Sequence, residues 1–289
     1  MNEKTSKLIL NAQRSELSEH ILYAQLAKSM KDEHNKKVLE HISNDELKHH
    51  DFWKQHTQKD VKPKKFMIFW FYFLAKTLGL TFAVKLMERK ESKAQDKYNA
   101  IAKIIPGAAE IEKDEQEHEQ KILNMLNEEK LEYVGSIVLG LNDALVELTG
   151  AIAGLTFAFM NNVFVGIAAL ITGIAASFSM AASEYLATKT DARENKNPFK
   201  ASIYTGIAYI ITVSLLVCPF FLTSSPILAV ILTLVIAATI ILCFTFYTSV
   251  AKDMAFGKRF WEMILISFGV AFLSFIVGII VKLTLGIEI

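Results

Sequence analysis

Five long apolar runs after residue 133 set the limits on what this chain can fold into. They cover roughly 134–160, 163–187, 201–222, 226–250 and 262–282. At about 1.5 Å of rise per helical residue, each is long enough to cross about 30 Å of hydrocarbon. Such a chain is neither a wholly soluble enzyme nor an extended disordered polymer. The breaks carry turn or charge signals: Asn161-Asn162, the run Lys189 to Lys200, Ser224-Ser225-Pro226, and Lys252 to Arg259. Positive residues gather in the second-to-third connection (Lys189, Arg193, Lys196, Lys200) and the fourth-to-fifth (Lys252, Lys258, Arg259), and the other two have none. The positive-inside rule then places the N-terminal half in the cytoplasm and the C-terminus outside.

The charges divide the chain at the same point. Of 31 Lys/Arg and 30 Asp/Glu, residues 1–133 hold 23 and 22, which leaves eight of each beyond. All seven histidines lie in the first 118 residues. The expectation is an all-α chain of two domains, 1–131 polar and 132–289 membrane-embedded. A net charge of +1 excludes a strongly basic nucleic-acid binder. Met1 to Arg14 is mixed polar and carries no leader pattern, so the polar half is expected to start in the cytoplasm. Cys218 and Cys243 both lie in apolar runs. They read as buried thiols with no disulfide framework.

The polar half reads as four helices, about 3–29, 34–58, 80–104 and 107–130. Its main feature is a repeated Glu-x-x-His: Glu46 with His49, and Glu115 with His118. Residues i and i+3 share a helix face, so each pair presents a carboxylate and an imidazole together. Two such pairs, plus one Glu from each remaining helix, make a carboxylate-bridged di-metal site. Helices one and two turn near residues 30–34, which sets Glu16 level with Glu46. Helices three and four turn near Pro106-Gly107, which sets Glu91 within about one turn of Glu115. Tyr23 follows Glu16 by seven residues, as Tyr98 follows Glu91. Both hydroxyls are placed to hydrogen-bond a ligand. Glu88 is either a seventh ligand or a solvated acid. His20, His50 and His56 read as surface residues.

The aromatic stretch from Phe66 through Val84 has basic flanks: Lys62, Lys64 and Lys65 on one side, Lys85, Arg89 and Lys90 on the other. A span here would put the two Glu-x-x-His helices on opposite sides of the membrane. It is read instead as the long crossover of the bundle (about 62–79), its aromatic face on the membrane surface or in a dimer interface. It could also join the halves of a domain-swapped dimer whose chains share each metal site.

Within the apolar runs three acids break the pattern: Asp143, Glu147 and Glu184. Intramembrane carboxylates face a bundle interior or an aqueous path. Asp143 and Glu147, four apart, share a face, and Met180 lies one turn before Glu184. Gly135, Gly140, Gly150, Gly154 and Gly166 suit close helix packing.

Two families become recognisable on these residues. The series Glu16-x6-Tyr23, Glu46-x-x-His49, Glu91-x6-Tyr98, Glu115-x-x-His118 resembles rubrerythrin and the erythrin branch of the ferritin-like superfamily. Gly140-Leu-Asn-Asp-Ala-Leu-Val146 and Ser179-Met-Ala-Ala-Ser-Glu-Tyr185 resemble signatures of the vacuolar iron transporter family. Together they cover nearly the whole chain, in the order of the membrane-bound ferritins. The resemblance implies a ferritin-like four-helix bundle with a dinuclear iron site, fused to a five-span divalent-metal/proton antiporter that works as a homodimer. It also matches Asp143 and Met180 to the pore-lining acid and methionine, and Glu184 to the acid of the second-span motif. The connection from Ala187 to Ala201 holds only Asp191 and Glu194 as acids, far fewer than the acid-rich hairpin of plant and fungal members. Metal capture therefore falls to the polar half.

The expected function is export of Fe(II) or Mn(II) through a bacterial or archaeal cytoplasmic membrane, past Asp143, Glu147, Met180 and Glu184, against inward protons. Carboxylates suit a hard divalent ion, and a thioether disfavours Mg(II) and Ca(II). The di-iron domain would capture, sense or oxidise iron, so ferroxidase activity is a secondary expectation. The rival is a membrane-anchored di-iron oxidase or peroxide scavenger. Carboxylates in the spans weigh against a mere anchor, and the lack of rubredoxin-type cysteine pairs weighs against a peroxidase.

Overall fold

The computed structural model describes residues 3–92, 105, 107–108, 111, 113–114, 133–191 and 196–285. Among these residues there are nine helices and no strand. The chain divides into two compact units, Met1–Glu128 and Glu129–Ile289.

In the first unit α1 (Glu3–Lys28) and α2 (Glu33–Thr57) pack side by side. Asp32 ends the turn between them, its carboxylate accepting the Asn35 N–H at 2.7 Å. That N-cap satisfies a donor the helix itself leaves open. Gln58 closes α2 in the left-handed region at φ 51°, its N–H donating to the Lys54 carbonyl. Ile9, Ala12 and Trp53 form a buried cluster with Ile105, Ala108 and Ile111. The segment after α2 is held against α1. Gln13 donates to the Lys59 carbonyl, and Ser18 and Ser15 accept from the Lys64 backbone N–H and ammonium.

Next comes α3 (Lys65–Thr77), which packs on α1 through Ile68, Phe71 and Leu74. It has 13 residues, about 20 Å of helix, too short for the hydrocarbon core. Gly79, at φ 109°, turns the chain into α4 (Leu80–Ser92). No continuous span-length helix therefore runs through 66–84. The opposite face of α3 is apolar and exposed: Phe66, Phe69, Trp70 and Phe73. Most of the expected helix at 107–130, and the part of 80–104 beyond Ser92, lie outside the described residues.

The second unit is five helices of membrane length: α5 (Val134–Phe159), α6 (Asn162–Thr190), α7 (Pro198–Leu222), α8 (Pro226–Ala251) and α9 (Phe256–Leu285). They begin where the punctuation places them. Asn161, Asn197 and Ser225 are side-chain N-caps, and Pro198 and Pro226 follow two of them, where a missing N–H is harmless. At the centre, α5 touches all four other helices. The core gathers Leu145, Leu148 and Ile152 of α5, Val165 of α6, and Tyr209 and Leu216 of α7. Outward-facing Phe178, Ile211, Leu232 and Leu273 are exposed, as lipid contact requires.

Small residues set the closest approaches. A Cβ on Gly140 would collide with the Thr205 carbonyl of α7, and one on Gly278 with the Gly154 carbonyl. Gly150 and Gly166 are similarly crowded, but Gly135 has open space around it, so packing does not explain that glycine. Cys218 and Cys243 correct a second expectation, because both are exposed. They lie on the outer faces of α7 and α8, where apolar surroundings are supplied by lipid and not by the core.

Candidate metal centres

In the first unit, antiparallel packing of α1 on α2 brings three expected ligands together. One ligand atom each from Glu16, Glu46 and His49 lies within 4.8 Å of the others, and all three residues are buried. His49 Nδ1 stands 3.6 Å from Glu46 Oε2 and 4.0 Å from Glu16 Oε2. Helical spacing sets the first distance, and the register of α1 on α2 sets the second. Two buried carboxylates and an imidazole suit Fe(II) or Mn(II) in donor type.

The backbone of α4 carries Glu88 and Glu91, but their side chains are not described. Glu115, His118 and Tyr98 lie outside the described residues. Tyr23 is buried, 3% exposed, on α1.

Two neighbours were not foreseen. Trp53 Nε1 donates to Glu16 Oε1 at 3.2 Å, seven residues along α2 from Glu46 on the same face. Asp114 Oδ2 stands 3.9 Å from His49 Nε2, a near neighbour of the ring beyond hydrogen-bond distance. A signal for Asp114 was present: the repeat extends to Asp-Glu-x-x-His, at 45–49 and 114–118. Asp45 itself accepts from the Lys48 ammonium at 2.7 Å. That hydrogen bond raises the Lys48 pKa above the usual value.

His50 is buried, not a surface residue: its Nδ1–H donates to the Gln13 carbonyl at 3.0 Å. It follows His49 by one residue, which turns it toward α1 on a different arc of the helix. His20 is half-buried, its Nδ1 2.7 Å from the Ser43 carbonyl, while His56 is exposed.

In the second unit the acids gather along one stripe of α5, which carries Asp143 and Glu147 and meets Glu184 of α6 through Ser136. The Ser136 hydroxyl donates to Glu184 at 2.5 Å. Asp143 follows Ser136 by seven residues and is half-buried. Glu147, a turn later, is exposed but accepts from the Tyr209 hydroxyl at 2.6 Å. Positions i, i+7 and i+11 share a face, so carboxylates are spread along roughly 16 Å of helix axis. They form a ladder: no metal-sized group of three acids occurs here among the described residues. Met180 is half-buried and packs against the apolar core. Tyr209, wholly buried in α7, was the residue that sequence reading missed. Its only sign was a phenol inside an apolar run.

Residues 134–196, which span α5, α6 and the connection toward α7, match the VIT family. No curated protein and no solved structure matches the chain. A VIT-family segment on five membrane-length helices makes this an integral membrane protein, and that family points to transport of metal ions such as iron or manganese.

Proposed function

We propose that the chain is a proton-coupled exporter of Fe(II), or of Mn(II), working as a homodimer with its polar unit in the cytoplasm. The observation that carries this reading is the row of carboxylates, Asp143 and Glu147 on α5 with Glu184 of α6 beside Ser136, within the segment that matches the VIT family. A carboxylate in hydrocarbon is tolerable with a cation, a proton or water beside it, and exchange between the first two is what antiport requires. Asp143, Glu147 and Glu184 would hand the cation along α5, and Met180 would bias the path toward softer ions. Tyr209 orients Glu147, and Ser136 orients Glu184.

The N-terminal unit would hold a dinuclear iron centre. Its donor set fits on the described side, where Glu16, Glu46 and His49 converge in a buried pocket. Glu91, Glu115 and His118 would complete it, with Glu88 at its edge. Such a centre supplies metal binding and, in the oxidising direction, one-electron chemistry. The polypeptide's own part is to set the Asp114 carboxylate near His49, to hold Glu16 by the Trp53 hydrogen bond, and to exclude water. Its role here is capture or sensing of the cargo ahead of export. The exposed aromatic face of α3 would rest on the membrane surface, with Lys62 and Lys65 toward the headgroups.

Everted vesicles loaded with this protein test the transport reading. Metal uptake should rise with an imposed pH gradient and vanish when the gradient is collapsed. Gradient-independent uptake would remove the proton coupling, and no uptake would remove the transporter.

A further inference from the structure

A cleft in the membrane unit opens between the start of α5, the end of α8 and the start of α9. Its volume is about 180 Å³, several times the roughly 30 Å³ that one water occupies in the liquid. Its polar lining is Asn142, Thr245, Thr248, Lys252 and Arg259. Among the described residues no carboxylate lines it: Asp253 and Glu262 are close in sequence but not among the lining residues.

These groups are poised and unused. Among the described residues, the Asn142 amide, the Thr245 hydroxyl, the Lys252 ammonium and the Arg259 guanidinium have no hydrogen-bond or ion-pair partner. Thr245 is only 3% exposed. Thr248, by contrast, turns back to the Phe244 carbonyl at 3.1 Å. Gly135, which no neighbouring helix crowds, lines the same cleft.

We propose that this cleft binds a phosphate-bearing anion. Every unpartnered polar group in it can donate, and both charged groups of the lining, Lys252 and Arg259, are positive, which favours an acceptor-rich anion over a metal. A guanidinium fork beside an ammonium matches the several oxygens of a phosphate. Val138, Phe244 and Met263 supply an apolar wall. Lys252 and Arg259 also sit at helix ends, the level where lipid headgroups lie. The same chemistry fits an anionic phospholipid headgroup or free phosphate. This inference does not depend on metal transport.

The test uses the full chain in detergent. Phosphatidylglycerol and zwitterionic phosphatidylcholine are compared by native mass spectrometry, and inorganic phosphate by calorimetry. The proposal expects phosphatidylglycerol, inorganic phosphate or both to bind. Lys252→Gln with Arg259→Gln should then weaken that binding about tenfold or more, and Thr245→Val should weaken it less. Lys258→Gln, a basic change in the same connection but outside the cleft, should leave it unchanged and controls for general surface charge. Phosphatidylglycerol alone assigns the site to lipid, and inorganic phosphate alone to a soluble anion. The proposal is overturned if neither binds better than phosphatidylcholine, or if Lys258→Gln weakens binding as much as the double variant.

Discussion

A carboxylate held away from bulk water needs a hydrogen-bond donor or a cation beside it, and each candidate centre has a donor in place. At Glu16 it is the Trp53 indole. Trp53→Phe keeps an aromatic in the cluster while removing the N–H. Iron affinity of the N-terminal unit should fall roughly 10- to 100-fold, the usual effect of losing a group that orients a ligand. Iron titration followed by absorbance reads it, and unchanged affinity would remove Trp53 from the centre. At Glu147 the donor is Tyr209. Tyr209→Phe should slow metal flux with little change in thermal stability, because the ring remains in the core. A variant that transports at the wild-type rate would leave that hydrogen bond a structural detail.

Helix length and helix contact make separate predictions. Because α3 is too short to span and is followed by the Gly79 turn, both of its ends should lie on one side of the membrane. Single cysteines at Lys59 and Lys90, in a background lacking Cys218 and Cys243, should label from the same face in sealed vesicles. Labelling from opposite faces would make this region a sixth span and would separate the two Glu-x-x-His motifs. In the membrane unit, α5 and α7 approach through Gly140 and the Thr205 carbonyl. A methyl there meets backbone, which cannot rotate away. Gly140→Ala should therefore destabilise the unit by about 1–3 kcal/mol, read as a lower unfolding temperature in detergent.

Across the whole molecule, the proposed function assigns metal movement and metal capture to different units. Asp143→Asn keeps size and hydrogen bonding but removes the exchangeable charge, so pH-driven flux in reconstituted vesicles should collapse. Glu16→Ala should spare flux at high metal and impair it when metal is scarce. If Asp143→Asn transports normally and Glu16→Ala is inactive at saturating metal, the pathway has been assigned to the wrong half.

Sequence alone determined what depends on local pattern. Hydropathy and loop punctuation located the five spans to within a few residues, apart from the start of α9, because a helix in hydrocarbon must satisfy its own backbone and so has a length set by the bilayer. The i, i+3 spacing put Glu46 beside His49, and the turn arithmetic put Glu16 level with them. What depends on packing between elements was not legible. That His50 turns inward while His56 stays exposed follows from how α1 lies across α2. That Tyr209 reaches Glu147, and that Ser136 reaches Glu184, depends on which faces of α5, α6 and α7 meet. Four unpartnered donors, from positions 142, 245, 252 and 259, share one cleft only after α5, α8 and α9 have folded together. Such contacts join residues up to more than a hundred positions apart, and no periodicity in the chain encodes them.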